Sequence, residues 1–359
     1  MPTTFSNETD RAWVDVDLSA LVSNAKTITT ISGGRLLPMV KANGYGLGAI
    51  AVTRALEAVD PWGYGVATVE EGAELRHAGI TRPILICTPL LPQWIDRCLE
   101  LDLRPSIGDL GALDAWMARG RRPFHLEIDT GMSRSGFRYD DPGLRGPIIE
   151  RLRRAEGWEG VFTHFHSPET DLATTELQWA RFQEIIGILP RRPALVHAAN
   201  SAAALTGNRY TADLIRPGIF LYGGFAGTPL PAPVASLRGR VVGVRQIREG
   251  DTVSYGATWR ADAPTRVATI AVGYADGFPR ATGRSRGIEL GGRVVPVVGR
   301  VAMDMTMVAV DDDQKVTLGE VATAWGGAVS LDQQADWVGT NAYELLTALS
   351  PRLPRCYRA

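Results

Sequence analysis

One lysine stands where a nucleophile would be useful. The apolar run Leu36-Leu37-Pro38-Met39-Val40 ends at Lys41, and a glycine-punctuated turn, Asn43-Gly44-Tyr45-Gly46-Leu47-Gly48, leads into an alanine-rich amphipathic stretch. That order reads as buried strand, tight loop and helix. A lysine leaving the C-terminal end of a buried strand is held in an apolar surround, which lowers its pKa and frees the amine as a nucleophile. Taken alone, Lys41 is better explained as a side chain that snorkels to water. Residues at the ends of other apolar runs reverse that balance. Asp129, Thr130, Gly131 and Arg134 follow one such run, His164 ends another, Asn200 and Ser201 follow a third, and Arg216-Pro217-Gly218-Ile219 closes a fourth. Lysine, histidine, two arginines and a serine at five strand ends are hard to explain as solvated loop chemistry.

The set suggests a job. Lysine forms a Schiff base with a carbonyl cofactor such as pyridoxal 5'-phosphate. The Ser201 hydroxyl and the backbone N–H groups around Gly218-Ile219 would make an anion cradle for its phosphate. Arg216 would face the pyridine nitrogen. A guanidinium does not give up its proton, so that nitrogen would stay unprotonated and the ring would withdraw electrons less strongly.

Positioning these residues takes a scaffold with many strand ends on one face. Short apolar runs recur at 36–40, 63–67, 83–87, 103–105, 124–128, 160–164, 194–197 and 213–216, with amphipathic segments such as 69–78, 110–118, 147–154 and 175–188 between them. About eight strand–helix units in the first ~225 residues are the number and size of an α/β fold of the (β/α)8 TIM-type barrel, whose active site lies at the C-terminal ends of its strands. Continuous apolar strands fit a parallel sheet covered on its outer face.

The rhythm breaks at 227–237, where Pro229, Pro231 and Pro233 make a semi-rigid connector. Beyond it 240–247, 265–272, 293–298, 306–310 and 321–325 read as strands, and 341–349 returns to a helix. We therefore expect a barrel over residues 1–232 and a mostly β C-terminal domain over 233–359. The first strand, 12–17, is a candidate to pack with the second domain, and the segment after it opens a helix at Asp17-Leu18-Ser19.

Bulk composition sets the class. The 359 residues are 45% hydrophobic and 21% charged with a formal net charge of −1, which suits a globular protein with a large core and gives no electrostatic footprint for nucleic acid or an anionic membrane. No apolar span is long enough to cross a bilayer, and the first residues lack a secretory pattern. Cys87, Cys98 and Cys356 are an odd, widely spaced set without metal-ligand spacing, read as free thiols in a reducing, cytoplasmic setting. No metal site is expected.

Eight blocks in order then become recognisable: VKANGYGLG, IDTGMSRSGF, THFH, HAANSAAAL, IRPGIFLYG, VSYGATW, VGYADGFPR and VGRVAMDM. Together they resemble the alanine racemase family almost end to end, from Trp13 to Arg355. The resemblance implies a pyridoxal-phosphate barrel of fold type III with a C-terminal β domain, working as a head-to-tail homodimer that interconverts L- and D-alanine for cell-wall precursor supply. It assigns Lys41 as Schiff-base lysine and one acid/base group, and Tyr255, supplied by the partner subunit, as the opposite base. His164 would hydrogen-bond toward Tyr255, and Arg216 would meet the pyridine nitrogen. Tyr45, Ser201, Gly218 and Ile219 would hold the phosphate. Arg134 and the backbone of Met303 would receive the substrate carboxylate, with Asp304 shaping the site and Tyr274 lining its entrance. Two bases make chemical sense, because a racemase removes the α-proton from one face and returns one to the other. A tyrosine with its ordinary pKa near ~10 needs neighbouring cations to serve as a base at neutral pH.

The chain departs from the family pattern in several places. Gly44 and Leu47 replace an alanine and a histidine in the first block. Glu127 stands where many members carry a lysine whose carbamylated form holds the carboxylate-binding arginine, and a glutamate there would pair with Arg134 directly. His166 and Pro168 replace small residues, and Pro351 replaces a tyrosine that reaches the phosphate. These changes leave a broader or serine-directed racemase open. A fold-type III decarboxylase or a non-catalytic pyridoxal-phosphate-binding protein fits less well, since neither accounts for a second domain bearing Tyr255 and Met303-Asp304.

Overall fold

A computed structural model describes residues 9–283 and 286–359. Strand β1 (Ala12–Asp17) opens it, and Asp17 caps the helix Leu18–Ser32 by accepting the Ala20 N–H at 2.8 Å. The barrel strands follow: β2 (Arg35–Leu36), β3 (Tyr64–Val66), β4 (Ile84–Pro89), β5 (Arg104–Ile107) and β6 (Phe124–Asp129). A two-residue strand β7 (Phe137–Arg138) lies on β6, and β8 (Trp158–Phe162), β9 (Leu195–His197) and β10 (Leu214–Ile215) complete the set. They pair in parallel in the order β2-β10-β9-β8-β6-β5-β4-β3. The sheet curls until Met39, beyond β2, bridges Gly65 of β3. The expected strand over 36–40 is thus divided: regular pairing stops at Leu36, because Pro38 has no N–H to give a neighbour.

Inside, the barrel is filled unevenly. Leu37, Leu85, Leu195 and Leu214 pack together with Trp62 and Cys87, while β6 turns His125, Glu127 and Asp129 to the face opposite Phe124, Leu126 and Ile128. All six of these residues are buried. Helices cover the outside. The helix Val69–His77 starts with a Thr68/Glu71 capping box, and Leu110–Met117 and Leu172–Ile188 are capped by Asp109 and Asp171.

The C-terminal half is built around the long strand β11 (Ala235–Ile247). The hairpin β12 (Thr252–Val253) and β13 (Trp259–Arg260) precedes β14 (Thr265–Ile270), β15 (Gly287–Leu290), β16 (Arg293–Pro296), β17 (Thr306–Val310) and β18 (Val321–Trp325). Strand β11 takes β1 and β18 as antiparallel partners along its first half and β14 along its second. The last strand, β19 (Arg355–Arg358), lies parallel to β1, with Val14 opposite Arg355. The first strand of the chain is therefore part of the C-terminal sheet. Strand β15 and the helix Leu331–Val338 were not expected from the sequence.

Candidate active site

Lys41 follows the Val40–Gly65 backbone bond that closes the barrel. After it the backbone makes a left-handed turn: Ala42, Asn43, Gly44 and Tyr45 have φ of 52°, 54°, 61° and 54°. Such a turn costs L-residues roughly 1–2 kcal/mol each, which Gly44 avoids. Side chains hold it in place. Glu71 accepts the Ala42 N–H at 2.6 Å, Asn43 accepts the Ala49 N–H at 2.9 Å, and from the far end of the chain Arg355 and Tyr357 donate to Gly46 O and Leu47 O, both at 3.0 Å. The turn sets Tyr45 flat against Tyr222, ring centroids 4.4 Å apart. Leu47 is fully buried in the main core, so this departure lies behind the site rather than in it.

Opposite Tyr45 lies a cluster of donors. Ser201, the first residue of the short helix Ser201–Leu205, accepts the Gly218 N–H at 2.9 Å and the Phe220 N–H at 3.4 Å. Its own hydroxyl hydrogen stays free to donate. The Ile219 N–H begins a 3-10 turn and has no acceptor within it. Tyr45 approaches so closely that a Cβ on Gly218 would sit 2.2 Å from its hydroxyl oxygen. Donors without a carboxylate among them suit a phosphate monoester anion.

Arg216 is buried and fully oriented. Its Nη1 donates to His197 Nδ1 at 2.8 Å, and its Nη2 donates to Thr163 O at 2.7 Å, Ala198 O at 3.1 Å and His164 Nδ1 at 3.3 Å. The Nε–H has no acceptor among the described residues. Burial pushes the Arg216 pKa down to about 10, which leaves it charged at neutral pH. Burial first, then Arg216, Arg134 and Lys41, hold the His164 imidazole well below its ordinary pKa. A neutral His164 accepting at Nδ1 carries its hydrogen on Nε2 and offers it outward.

Arg134 rides on a loop that Asp129 organises by accepting the Gly131 and Ser133 N–H groups at 2.9 and 3.0 Å. Exposed at the rim, it forms no ion pair among the described residues. The expected Glu127–Arg134 pair is not formed. Gly136, at φ 98°, folds the loop down until a Cβ there would lie 2.9 Å from Glu127 Cγ, and this seats the Ser135 hydroxyl, not the guanidinium, on Glu127 at 2.7 Å. Glu127 Oε2 is left buried without a hydrogen-bond partner, in a small cavity it shares with Arg134, Ser135, Thr163 and His164. Burial raises the Glu127 pKa against the opposing pull of Ser135, Arg134 and Arg216.

Lys41, Tyr45, His164, Ser201, Arg216, Gly218 and Ile219 are thus gathered at the C-terminal ends of the barrel strands, with Arg134 on their rim. The remaining candidates lie on the C-terminal half. Tyr255 sits between β12 and β13, is 70% exposed, and its hydroxyl has no hydrogen-bond partner among the described residues. Tyr274 and Met303 are also exposed. Tyr274 donates its N–H to Ala302 O at 3.1 Å, the Met303 carbonyl accepts the Ala275 N–H at 2.9 Å, and the Met303 N–H has no acceptor among the described residues. Asp304 accepts Arg352 Nη2 at 2.7 Å, and Arg352 Nε reaches the buried Asp276 at 2.8 Å, which Arg11 also pairs at 2.7 Å. His166 points outward, its Nδ1 2.7 Å from Ser167 Oγ, and Pro351 is exposed.

Several residues of this arrangement escaped the sequence reading. His125 and His197 are fully buried partners behind Arg216, and the alternation of FHLEID in β6 is the signal that marks His125 as inward-facing. Asp276, Arg352, Arg355 and Tyr357 carry no local signal, because their partners are distant in the chain.

Two family profiles match the chain: residues 16–225 match one described as "Alanine racemase, N-terminal domain", and 234–357 match "Alanine racemase, C-terminal domain". A protein named alanine racemase from Deinococcus radiodurans is 38% identical, with 96% of this chain and 98% of the relative covered. Another, from Carboxydothermus hydrogenoformans, is 35% identical over 96% and 99%. Among solved structures, the biosynthetic alanine racemase of Pseudomonas aeruginosa superposes with a TM-score of 0.88 at 33% identity, covering 97% of this chain and 99% of that one. The alanine racemase of Bartonella henselae, solved with covalently bound pyridoxal phosphate, has a TM-score of 0.90 at 26% identity over 97% and 99%.

Proposed function

The chain belongs to the alanine racemase family of pyridoxal-phosphate-dependent isomerases, and from that premise we propose that it interconverts L- and D-alanine with Lys41 and Tyr255 as two opposed proton carriers. The observation that carries this reading is the meeting of Lys41 with the Tyr45–Ser201–Gly218–Ile219 donor cluster at the barrel mouth. That cluster has the polarity a phosphate needs, Lys41 has the amine a carbonyl cofactor needs, and Arg216 keeps its Nε–H unspent for a ring nitrogen. Pyridoxal 5'-phosphate fits these residues. Bound there it supplies an electron sink that acidifies the α-hydrogen of an amino acid.

The chain's own groups do the rest. Lys41 Nζ serves one face of Cα. Tyr255 Oη serves the other, removing the α-proton of L-alanine while Lys41 returns one from the opposite side; the roles exchange for D-alanine. Arg216 brings a positive charge, and His164 beside it the outward N–H that would meet Tyr255 Oη. Arg134 and the unspent Met303 N–H receive the substrate carboxylate, Asp304 is held by Arg352, and Tyr274 lines the entrance.

Tyr255 is exposed on the C-terminal half and has no bond to the barrel mouth of its own chain. This supports a head-to-tail homodimer in which each copy lends Tyr255, Met303, Asp304 and Tyr274 to the other. Among the described residues no helix is long and apolar enough to cross a membrane; we place the enzyme in the cytoplasm, supplying D-alanine for cell-wall precursors.

The test is solvent-deuterium incorporation at Cα across a panel of L- and D-amino acids, in wild type and Tyr255→Phe. Both alanine enantiomers should exchange and interconvert, and Tyr255→Phe should lose exchange chiefly from L-alanine. Equal loss from both enantiomers would remove Tyr255 from the role of a one-sided base. Preference for serine by more than about tenfold, ~1.4 kcal/mol in barrier, would replace alanine as the substrate.

A further inference from the structure

A buried polar file runs through the barrel interior behind Arg216, toward the N-terminal ends of the strands. Arg216 Nη1 lies 2.8 Å from His197 Nδ1, His197 Nε2 lies 2.8 Å from His125 Nδ1, and His125 Nε2 lies 3.2 Å from Glu159 Oε2. The same carboxylate oxygen accepts Arg104 Nε at 3.1 Å. Both histidines are 0% exposed.

The chemistry of the two ends dictates the direction of every bond between them. A guanidinium only donates, so His197 Nδ1 must be a bare acceptor. A neutral His197 then carries its hydrogen on Nε2 and donates to His125 Nδ1. His125 in turn carries its hydrogen on Nε2 and donates to Glu159, which as a carboxylate only accepts. Read from Glu159 back to Arg216, the same assignment follows. A second proton on either ring would set one N–H against another N–H donor. Burial lowers both imidazole pKa values, with Arg216 adding to the effect at His197, so both rings stay neutral. Glu159 is held below its ordinary range by His125 and Arg104 although burial opposes this.

Packing locks the rings in these orientations. Phe162 stacks on His197 with centroids 5.0 Å apart, the Arg216 guanidinium lies over the same phenyl ring at 5.2 Å, and Trp62 leans on His125 at 5.7 Å. Gly160 makes the room: a Cβ there would stand 2.6 Å from His125 Nδ1.

We infer that Glu159 and His125 are positioning residues for Arg216: by accepting at the far end of the barrel they complete the tautomer order that keeps a bare His197 Nδ1 against the guanidinium. The effect on turnover rests on the role given to Arg216 under Proposed function; the directed file does not.

The experiment is ring-15N histidine labelling of the holoenzyme. The chain has five histidines, and His77→Gln with His166→Gln removes the two exposed rings, leaving His125, His164 and His197. All three rings should show hydrogen on Nε2 alone and stay neutral at about pH 7 and above, His164 through its own Arg216 contact and His125 and His197 through the file. Glu159→Leu deletes the oxygen that Arg104 Nε–H and His125 Nε2–H share, leaving two donors without an acceptor at that end and favouring a bare His125 Nε2, so an Nδ1-protonated form should then appear. Glu159→Gln, which still accepts through Oε1, should keep the wild-type pattern. Should the leucine variant not fold, Glu159→Asp withdraws the carboxylate and should scramble the tautomers likewise. In the scrambled variant kcat should fall about tenfold (~1.4 kcal/mol) with KM little changed, and recover in Glu159→Gln. An Nδ1 proton on His125 or His197 in wild type, or unchanged tautomers in the leucine or aspartate variant, overturns the inference whatever the turnover. Scrambled tautomers with normal turnover uphold the file and instead refute the role assigned to Arg216.

Discussion

Replacing Gly218 with alanine tests the donor cluster through one methyl group. The added Cβ would stand 2.2 Å from Tyr45 Oη and 2.9 Å from Cζ, where ordinary contact begins near 3.4 Å. The ring must therefore retreat by more than about 1 Å, as the difference 3.4 − 2.2 requires. It has little freedom to do so. Its backbone is fixed in the left-handed turn, and its face rests on Tyr222, whose hydroxyl is bonded to Met39 O at 2.8 Å. Overpacking of this kind costs about 1–3 kcal/mol, and losing the Tyr45 hydrogen bond to a charged phosphate costs about 1.5–3 kcal/mol more. A combined loss of about 3 kcal/mol in the holo state corresponds to roughly a hundredfold weaker cofactor binding. The assay is titration of stripped Gly218→Ala protein with pyridoxal phosphate, followed by the absorbance of the lysine-linked cofactor, with thermal unfolding of the apoprotein measured separately. Tyr45→Phe, which removes only the hydroxyl, should weaken binding by about tenfold to a hundredfold. If Gly218→Ala binds within threefold of wild type and melts at the same temperature, the phosphate is not held between Tyr45 and the Gly218 turn.

Two further predictions concern groups around the site. Glu127→Gln keeps the Ser135 hydrogen bond while removing the charge that shares a cavity with Arg134, so KM for alanine should rise about fivefold, ~1 kcal/mol, with kcat nearly unchanged; an unaltered KM refutes a role for that charge. Asp276, buried but held below its ordinary pKa by Arg11, Arg352 and the Gly273 N–H against the cost of burial, is a depressed carboxyl, so its contribution is full above the unfolded value of about 3.9 and is lost as pH falls through the folded one. Both arginines are well exposed, which discounts the pairing by solvent screening. Asp276→Asn should therefore cost about 1–3 kcal/mol at pH 7, and the gap between its melting curve and that of wild type should narrow below pH 4; a gap independent of pH is the contrary result.

The barrel was legible because its strands are short apolar runs punctuated by polar residues at one end, a pattern that survives in one dimension. Lys41, His164, Ser201 and Arg216 occupy those ends, and the fold brings them together. Glu127 was placed on the correct face by alternation, but its partner was misjudged. Alternation reports the face of a strand, whereas the choice between Ser135 and Arg134 is made by Gly136 folding the loop onto β6. The His125–His197 contact joins residues 72 apart in sequence, and no local periodicity encodes a meeting across a barrel interior. Strand β15 was missed for a different reason: GIEL is four residues long and becomes a strand only through pairing with β16 and β18.

The second domain, proposed above to carry Tyr255 for another copy, also acts on its own barrel through its end. Three of the four non-helical residues after Lys41 carry a Cβ in left-handed conformation, a cost of several kcal/mol by the figure of roughly 1–2 per residue. Glu71 and Asn43 offset part of it from within the barrel. The rest of the restraint comes from Arg355 and Tyr357 on β19, which bond Gly46 O and Leu47 O. Strand β19 is in turn held by β1, the first strand of the chain. The shape of the Lys41 loop therefore depends on both ends of the polypeptide being paired in one sheet. A barrel severed at the proline-rich connector would lose that clasp along with β19, so a Tyr255 supplied by another copy would not by itself restore the geometry in which Tyr45 meets Gly218.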